Sequence, residues 1–209
     1  MSSSGSPILE ILAAFLLVYV LQLVTAFADL VGMLFVLSAP VTENPWTIVT
    51  SVYAHAGPDH LLSNAVGLVL FGWPVARATT RTRFHVFFVV AGALAGIAQV
   101  VIAPVLSALP VVGGSSAAGV IGASGGVFAL LGYLLASNRL SSRLIGRSVP
   151  AWLLAAVAVP LAVVITVATA SPGAALIAHF TGLVVGFGAG LANLLATTPP
   201  RPAVQRGPA

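Results

Sequence analysis

Read as apolar runs separated by polar or Pro/Gly breaks, the chain divides into six long apolar segments, at about 8–28, 60–77, 84–104, 121–137, 150–170 and 174–196. A helix needs about 20 mainly apolar residues to cross the ~30 Å hydrocarbon layer of a bilayer, and these segments suit that length. They nearly exhaust the sequence. The pattern therefore predicts an all-α, polytopic membrane protein: one six-helix membrane domain over residues 1–198 and a short Pro- and Arg-containing tail over 199–209. Between the first two segments, the run from Leu30 to Leu37 is apolar but too short to span, and it reads as a loop partly immersed in the outer leaflet. The stretch after it, Trp46 to Asn64, carries aromatic side chains suited to the membrane–water boundary.

Composition supports this reading. Of the 209 residues, 59% are hydrophobic and 6% charged, with a mean hydropathy of +1.11, whereas a soluble domain carries roughly 25% charged residues. The absence of cysteine excludes disulfides and thiolate metal sites. Met1 to Pro7 has no positive side chain and the first apolar run is longer than a signal h-region, so no cleavable signal is expected.

Charge then orients the segments, because Lys and Arg in short loops stay cytoplasmic. All eight basic residues are arginines. Arg77, Arg81 and Arg83 separate segments two and three, Arg139, Arg143 and Arg147 separate four and five, and Arg201 and Arg206 follow six. With six helices, all of them fall on one side and both termini are cytoplasmic. Asp29, Glu43 and Asp59 fall on the other side. The net charge of +4 is thus an orientation signal, reinforced by anionic lipid heads, and needs no nucleic acid to explain it.

Few polar groups remain inside the segments. Segment one has Glu10 near its cytoplasmic start and Gln22 towards its outer end; segment three has His85 at the rim and Gln99 inside, read as interfacial and helix–helix contacts. His60 and Asn64 lie four apart on segment two and so share one helix face. Segment four opens with Val120-Ile121-Gly122-Ala123-Ser124-Gly125-Gly126-Val127-Phe128, and its Gly125, Ala129, Gly132 and Ala136 form a stripe of small residues. In segment six, His179, Gly182, Gly186 and Gly190 form a second stripe with the imidazole at its outer end. Small stripes allow backbone-to-backbone packing. Pairing four with six brings His179 up to Ser124.

Depth supports a shared site. At ~1.5 Å per residue, Ser124 lies roughly 22 Å from Arg139, His60 roughly 25 Å from Arg77, and His179 roughly 27 Å from Thr197. All three fall in the outer part of the bilayer, within about one helical turn of each other. A serine hydroxyl needs a base to take its proton, and imidazole is the usual one, so Ser124 and His179 form a candidate dyad. No acid lies at their depth to orient the imidazole; the Phe128 ring, one turn below the hydroxyl, can hold it by packing. The Ser124 backbone N–H at a helix N-terminus and the His60 and Asn64 side chains are candidate oxyanion donors. A flexible Gly/Ser-rich stretch over 107–119 above Ser124 admits water from outside.

This combination resembles the rhomboid family of intramembrane serine proteases. The resemblance rests on His60-x-x-x-Asn64 with His55 five residues earlier, on Gly122-Ala123-Ser124-Gly125, and on Ala178-His179-Phe180-Thr181-Gly182, in order over segments two to six. It implies a protease, without metal or cofactor, that cleaves single-pass membrane proteins near their extracytoplasmic end in the plasma membrane. Ser124 would attack, His179 would act as general base, and His60 and Asn64 would surround the oxyanion, with Gly122, Gly125, Phe128 and Gly182 in support. Two departures stand out: Phe128 occupies a position that is often tyrosine in the family, and Trp46 is followed by Thr47 where many members carry a Trp-Arg pair. The competing readings are a catalytically inactive rhomboid-like binding protein and a transporter using its histidines as a proton relay. The transporter would call for buried carboxylates and an inverted repeat, neither of which is found in the sequence. Substrate identity and oligomeric state are not encoded in these motifs.

Overall fold

In a computed structural model of the chain, the first apolar segment forms helix α1 (Pro7–Ala26), with Pro7 at a first-turn position where its missing N–H costs nothing. The structure describes residues 5–107, 119–137 and 175–197, together with Ala156 and Pro160. Apart from those two positions, the expected segment at 150–170 lies outside the described residues, as do the interior of the loop at 107–119 and Arg139, Arg143, Arg147, Arg201 and Arg206. One face of α1 buries Ile8, Ile11, Phe15 and Gln22, while Leu9, Leu16, Leu17 and Val24 on the rest of its surface are exposed. Such a face is stable against lipid and costly against water.

The run from Leu30 to Leu37, expected to be a loop, contains the short helix α2 (Val31–Phe35), and the stretch after it contains another, α3 (Thr47–Tyr53). A five-residue helix leaves its carbonyls without intrahelical donors. Here Trp46 Nε1 donates to the Met33 carbonyl at 2.9 Å and Thr50 Oγ1 to the Leu34 carbonyl at 2.6 Å. These partners lie 13 and 16 residues along the chain, beyond the reach of any local pattern. They also anchor the first loop, in which Trp46 has no arginine beside it.

Helices α4 (Pro58–Ala76), α5 (Arg81–Ser107), α6 (Ser124–Ala136) and α7 (Leu176–Leu191) complete an all-α membrane bundle. Among the described residues, α1 and residues 81–106 of α5 are long and apolar enough to cross a membrane unaided, and α6 and α7 are shorter. Polar contacts fix the direction of each helix. At one end, Glu10 of α1 accepts from Arg81 Nε at 2.8 Å and lies 2.7 Å from His85 Nε2, and Arg83 reaches the Ala196 carbonyl just beyond α7 at 2.9 Å. At the other end, Gln22 of α1 meets His55 before α4, and Gln99 of α5 accepts from the Ala178 N–H of α7 at 3.1 Å. Successive long helices α1, α4, α5 and α6 therefore alternate in direction, and α7 runs parallel to α6.

Helix α6 is the centre, with nine of its residues buried, among them Gly125, Ala129, Gly132 and Tyr133. Its contact with α7 is backbone to backbone. A Cβ on Gly182 would meet the Gly125 carbonyl, one on Gly186 the Ala129 carbonyl, and one on Gly190 the Tyr133 carbonyl at 2.7 Å. In lipid there is no hydrophobic drive between helices, so this close van der Waals seam carries the association. Gly188, on the same helix, has open space around it. We therefore expect Gly186→Ala to destabilise the protein by about 1–3 kcal/mol through overpacking, and Gly188→Ala to be neutral or to stabilise by up to about 1 kcal/mol through helix propensity. Thermal unfolding in detergent micelles checks the contrast; equal effects at the two glycines would contradict this account of the seam.

Candidate active site

The seam between α6 and α7 ends at the face away from the Glu10–Arg81–His85 cluster, and there Ser124 opens α6 while His179 sits in the first turn of α7. His179 Nε2 lies 3.0 Å from Ser124 Oγ. The imidazole is buried, and the Phe128 ring stacks on it with centroids 4.5 Å apart and planes 20° off parallel. Gln99 of α5 satisfies the Ala178 N–H, one of the donors that a helix start leaves over, immediately before His179. These contacts hold the imidazole from its face and through its backbone. Ring stacking and the helix-start hydrogen bond thus both help to position the imidazole.

The chain entering α6 is extended and tied down. Val120 exchanges two backbone hydrogen bonds with Leu37, at 3.0 and 2.8 Å, and the Gly122 N–H donates to the Ser51 carbonyl at 2.9 Å. Gly122 has φ +135°, a region that side chains other than glycine rarely adopt. A Cβ there would also stand 2.6 Å from His60 Cε1 and 2.8 Å from His60 Nε2. The His60 ring therefore lies flush over Gly122, two residues before the serine. The Ala56 N–H donates to His60 Nδ1 at 3.4 Å, which leaves the ring proton on Nε2, the nitrogen over Gly122.

Asn64 is buried one turn below and donates from Nδ2 to the His60 carbonyl at 2.9 Å. One of its two amide hydrogens is so engaged, and it steadies the first turn of α4. His55 is buried, wedged between Phe15 at 4.8 Å and His60 at 5.3 Å. Burial, and to a lesser degree the neighbouring His60, pushes its pKa down to about 4, so it packs as a neutral ring. A recess beside Ser124 is lined by Ser51, Gly92, Gly96, Gly122, Gly125 and Ala178.

The structure thus brings Ser124, His179, Phe128, His60 and Gly122 together, with Asn64 behind His60 and with Gly125 and Gly182 in the seam just beyond the dyad. Gln22 and Gln99 were not singled out for the site by sequence, although each is an amide within an apolar segment, which is itself a signal. Among the described residues, no three His, Asp or Glu side chains gather as a metal site would require.

The Rhomboid domain family model matches residues 42–195, a span running from the first loop through α7. No curated protein matches the chain.

Gly122 generates the first activity prediction. Gly122→Ala strains the backbone and pushes His60 aside while leaving the α6–α7 seam untouched. Hydrolysis of a fluorogenic peptide should fall by ~10²-fold or more, in the range for loss of one oxyanion donor, with helix content by circular dichroism unchanged. Retained hydrolysis would show that His60 need not sit over Gly122.

Proposed function

The chain belongs to the rhomboid family, an integral membrane family made up mostly of serine intramembrane proteases, and on that basis we propose that it is an intramembrane serine endopeptidase. The observation that carries this reading is the 3.0 Å approach of His179 Nε2 to Ser124 Oγ on two helices packed backbone to backbone. An inactive rhomboid-like protein would not need to maintain that pair.

In the proposed reaction, His179 Nε2 takes the Ser124 proton as Oγ attacks the scissile carbonyl carbon. Negative charge gathers on the former carbonyl oxygen. The Ser124 backbone N–H, without an intrahelical acceptor at the start of α6, and His60 Nε2–H are the nearest donors, with Asn64 as a third. His179 then returns the proton to the leaving amine, and the acyl group remains on Ser124. Water entering by the recess beside Ser124 is activated by the same imidazole and releases the second product. No metal or cofactor takes part. Phe128 keeps the imidazole in plane through its ring, a task for which the tyrosine hydroxyl found in many members is not needed.

The substrates proposed are single-pass membrane proteins, cut near their extracytoplasmic end. Six spans with both termini in the cytoplasm are consistent with the start of α1 and the end of α7 lying at one end of the bundle, beside Arg81 and Arg83. Between α6 and α7 the sequence offers a further apolar segment, 150–170, of the length a membrane span needs. With the arginines cytoplasmic the site would open outwards, and the location proposed is a multi-pass one in the cell membrane.

Cleavage of a labelled single-pass substrate by the purified protein in detergent tests this reading. Ser124→Ala and His179→Ala should each lower the rate by ~10³-fold or more. Asn64→Ala should lower turnover only in part, by ~10-fold, because other donors remain. Cleavage that persists in Ser124→Ala would remove the mechanism.

A further inference from the structure

The buried amide of Gln22 has no place in the reaction as described, yet it is the one polar side chain on the buried face of α1 above Glu10. It uses both ends on a single residue: Nε2 donates to the His55 carbonyl at 3.1 Å, and Oε1 accepts from the His55 N–H at 2.9 Å. The His55 carbonyl and the Ala56 N–H belong to the same peptide unit. That unit is planar, so an amide that fixes the direction of the carbonyl also fixes the N–H on its opposite edge. The Ala56 N–H is the group that donates to His60 Nδ1. On the ring side, His55 packs edge-on against His60 with centroids 5.3 Å apart, backed by Phe15 of α1.

From this we infer that Gln22 is a positioning residue that acts through the His55–Ala56 peptide to hold His60 with its proton on Nε2, facing Gly122 and Ser124. A neutral imidazole can carry its proton on either nitrogen, and only the Nε2–H form can donate to an oxyanion over Gly122. The hydrogen bond from Ala56 selects that form by occupying Nδ1 as an acceptor. The three bonds, Gln22 to His55, Ala56 to His60, and His60 to the developing oxyanion, run in series, so each polarises the next. Helix α1, which contributes no reacting group, is thereby coupled to transition-state charge. The inference rests on the protease reading for its catalytic consequence, but not for the tautomer itself.

The test uses the full-length protein in micelles, labelled with ¹⁵N at histidine. In the wild type, the His60 ring should show the Nε2-protonated tautomer; a proton on Nδ1 overturns the inference without recourse to any variant. Gln22→Met keeps volume and helix propensity and deletes both hydrogen bonds. It should give a mixed His60 tautomer and lower kcat by ~10-fold, with KM within about twofold, because the donor acts on the transition state and not on substrate binding. Should that variant fail to fold, Gln22→Asn keeps an amide one methylene too short to bridge, and the same pattern is expected. An unchanged tautomer and unchanged kcat in a folded variant overturn the inference while the protease reading stands. A wild type that shows the tautomer but cleaves nothing sinks the protease reading alone.

Discussion

Everything at the candidate site depends on how closely α6 and α7 approach. The distance is set by glycine: at Gly182 and Gly186 a single added carbon would run into the carbonyls of Gly125 and Ala129. Because the helices are parallel, the glycines meet α6 in a constant register, and the same register delivers His179 to Ser124 at the top of the seam. In a bilayer no water is expelled when helices meet, so a seam of this kind holds by contact area and geometry. Packing and chemistry are therefore one constraint here, not two.

A second constraint concerns the end of α6. The helix is thirteen residues long, roughly 20 Å, too short to fill the ~30 Å apolar layer. A helix of that length cannot cross the layer by itself, so wherever the segment before it is shielded from water that segment must satisfy its own backbone. Leu37 and Ser51 do this by pairing with Val120 and Gly122, which explains why a first loop held by Trp46 and Thr50 matters to a serine far along the chain. Irregular backbone is tolerated in an apolar layer where it is covered by protein and borders a recess such as the one beside Ser124.

Much of this was legible in the sequence, for identifiable reasons. The stripes in segments four and six repeat with helical period, so their pairing, and with it the meeting of Ser124 and His179, could be read from spacing alone. The four-residue interval between His60 and Asn64 likewise gave one face. What spacing cannot give is a distant partner that lies outside a regular helical repeat. The helices α2 and α3 depend on side-chain donors crossing from one to the other, and the Leu37–Val120 bridge joins segments more than eighty residues apart. Asn64 was read as a donor into the site, whereas its amide also serves the His60 carbonyl, a contact visible only with coordinates. Gln22 and Gln99 were legible as isolated polar residues, but their acceptor and donor groups are backbone atoms, which carry no sequence signature.

The central claim is that the seam makes Ser124 a nucleophile and His179 its base. Reaction of the full-length protein with a fluorophosphonate, followed by peptide mapping in a mass spectrometer, tests it most directly. The account predicts a covalent adduct on Ser124 that forms in the wild type and is lost when His179 is replaced by alanine. An adduct on a different hydroxyl, or labelling of Ser124 that is indifferent to His179, would contradict it.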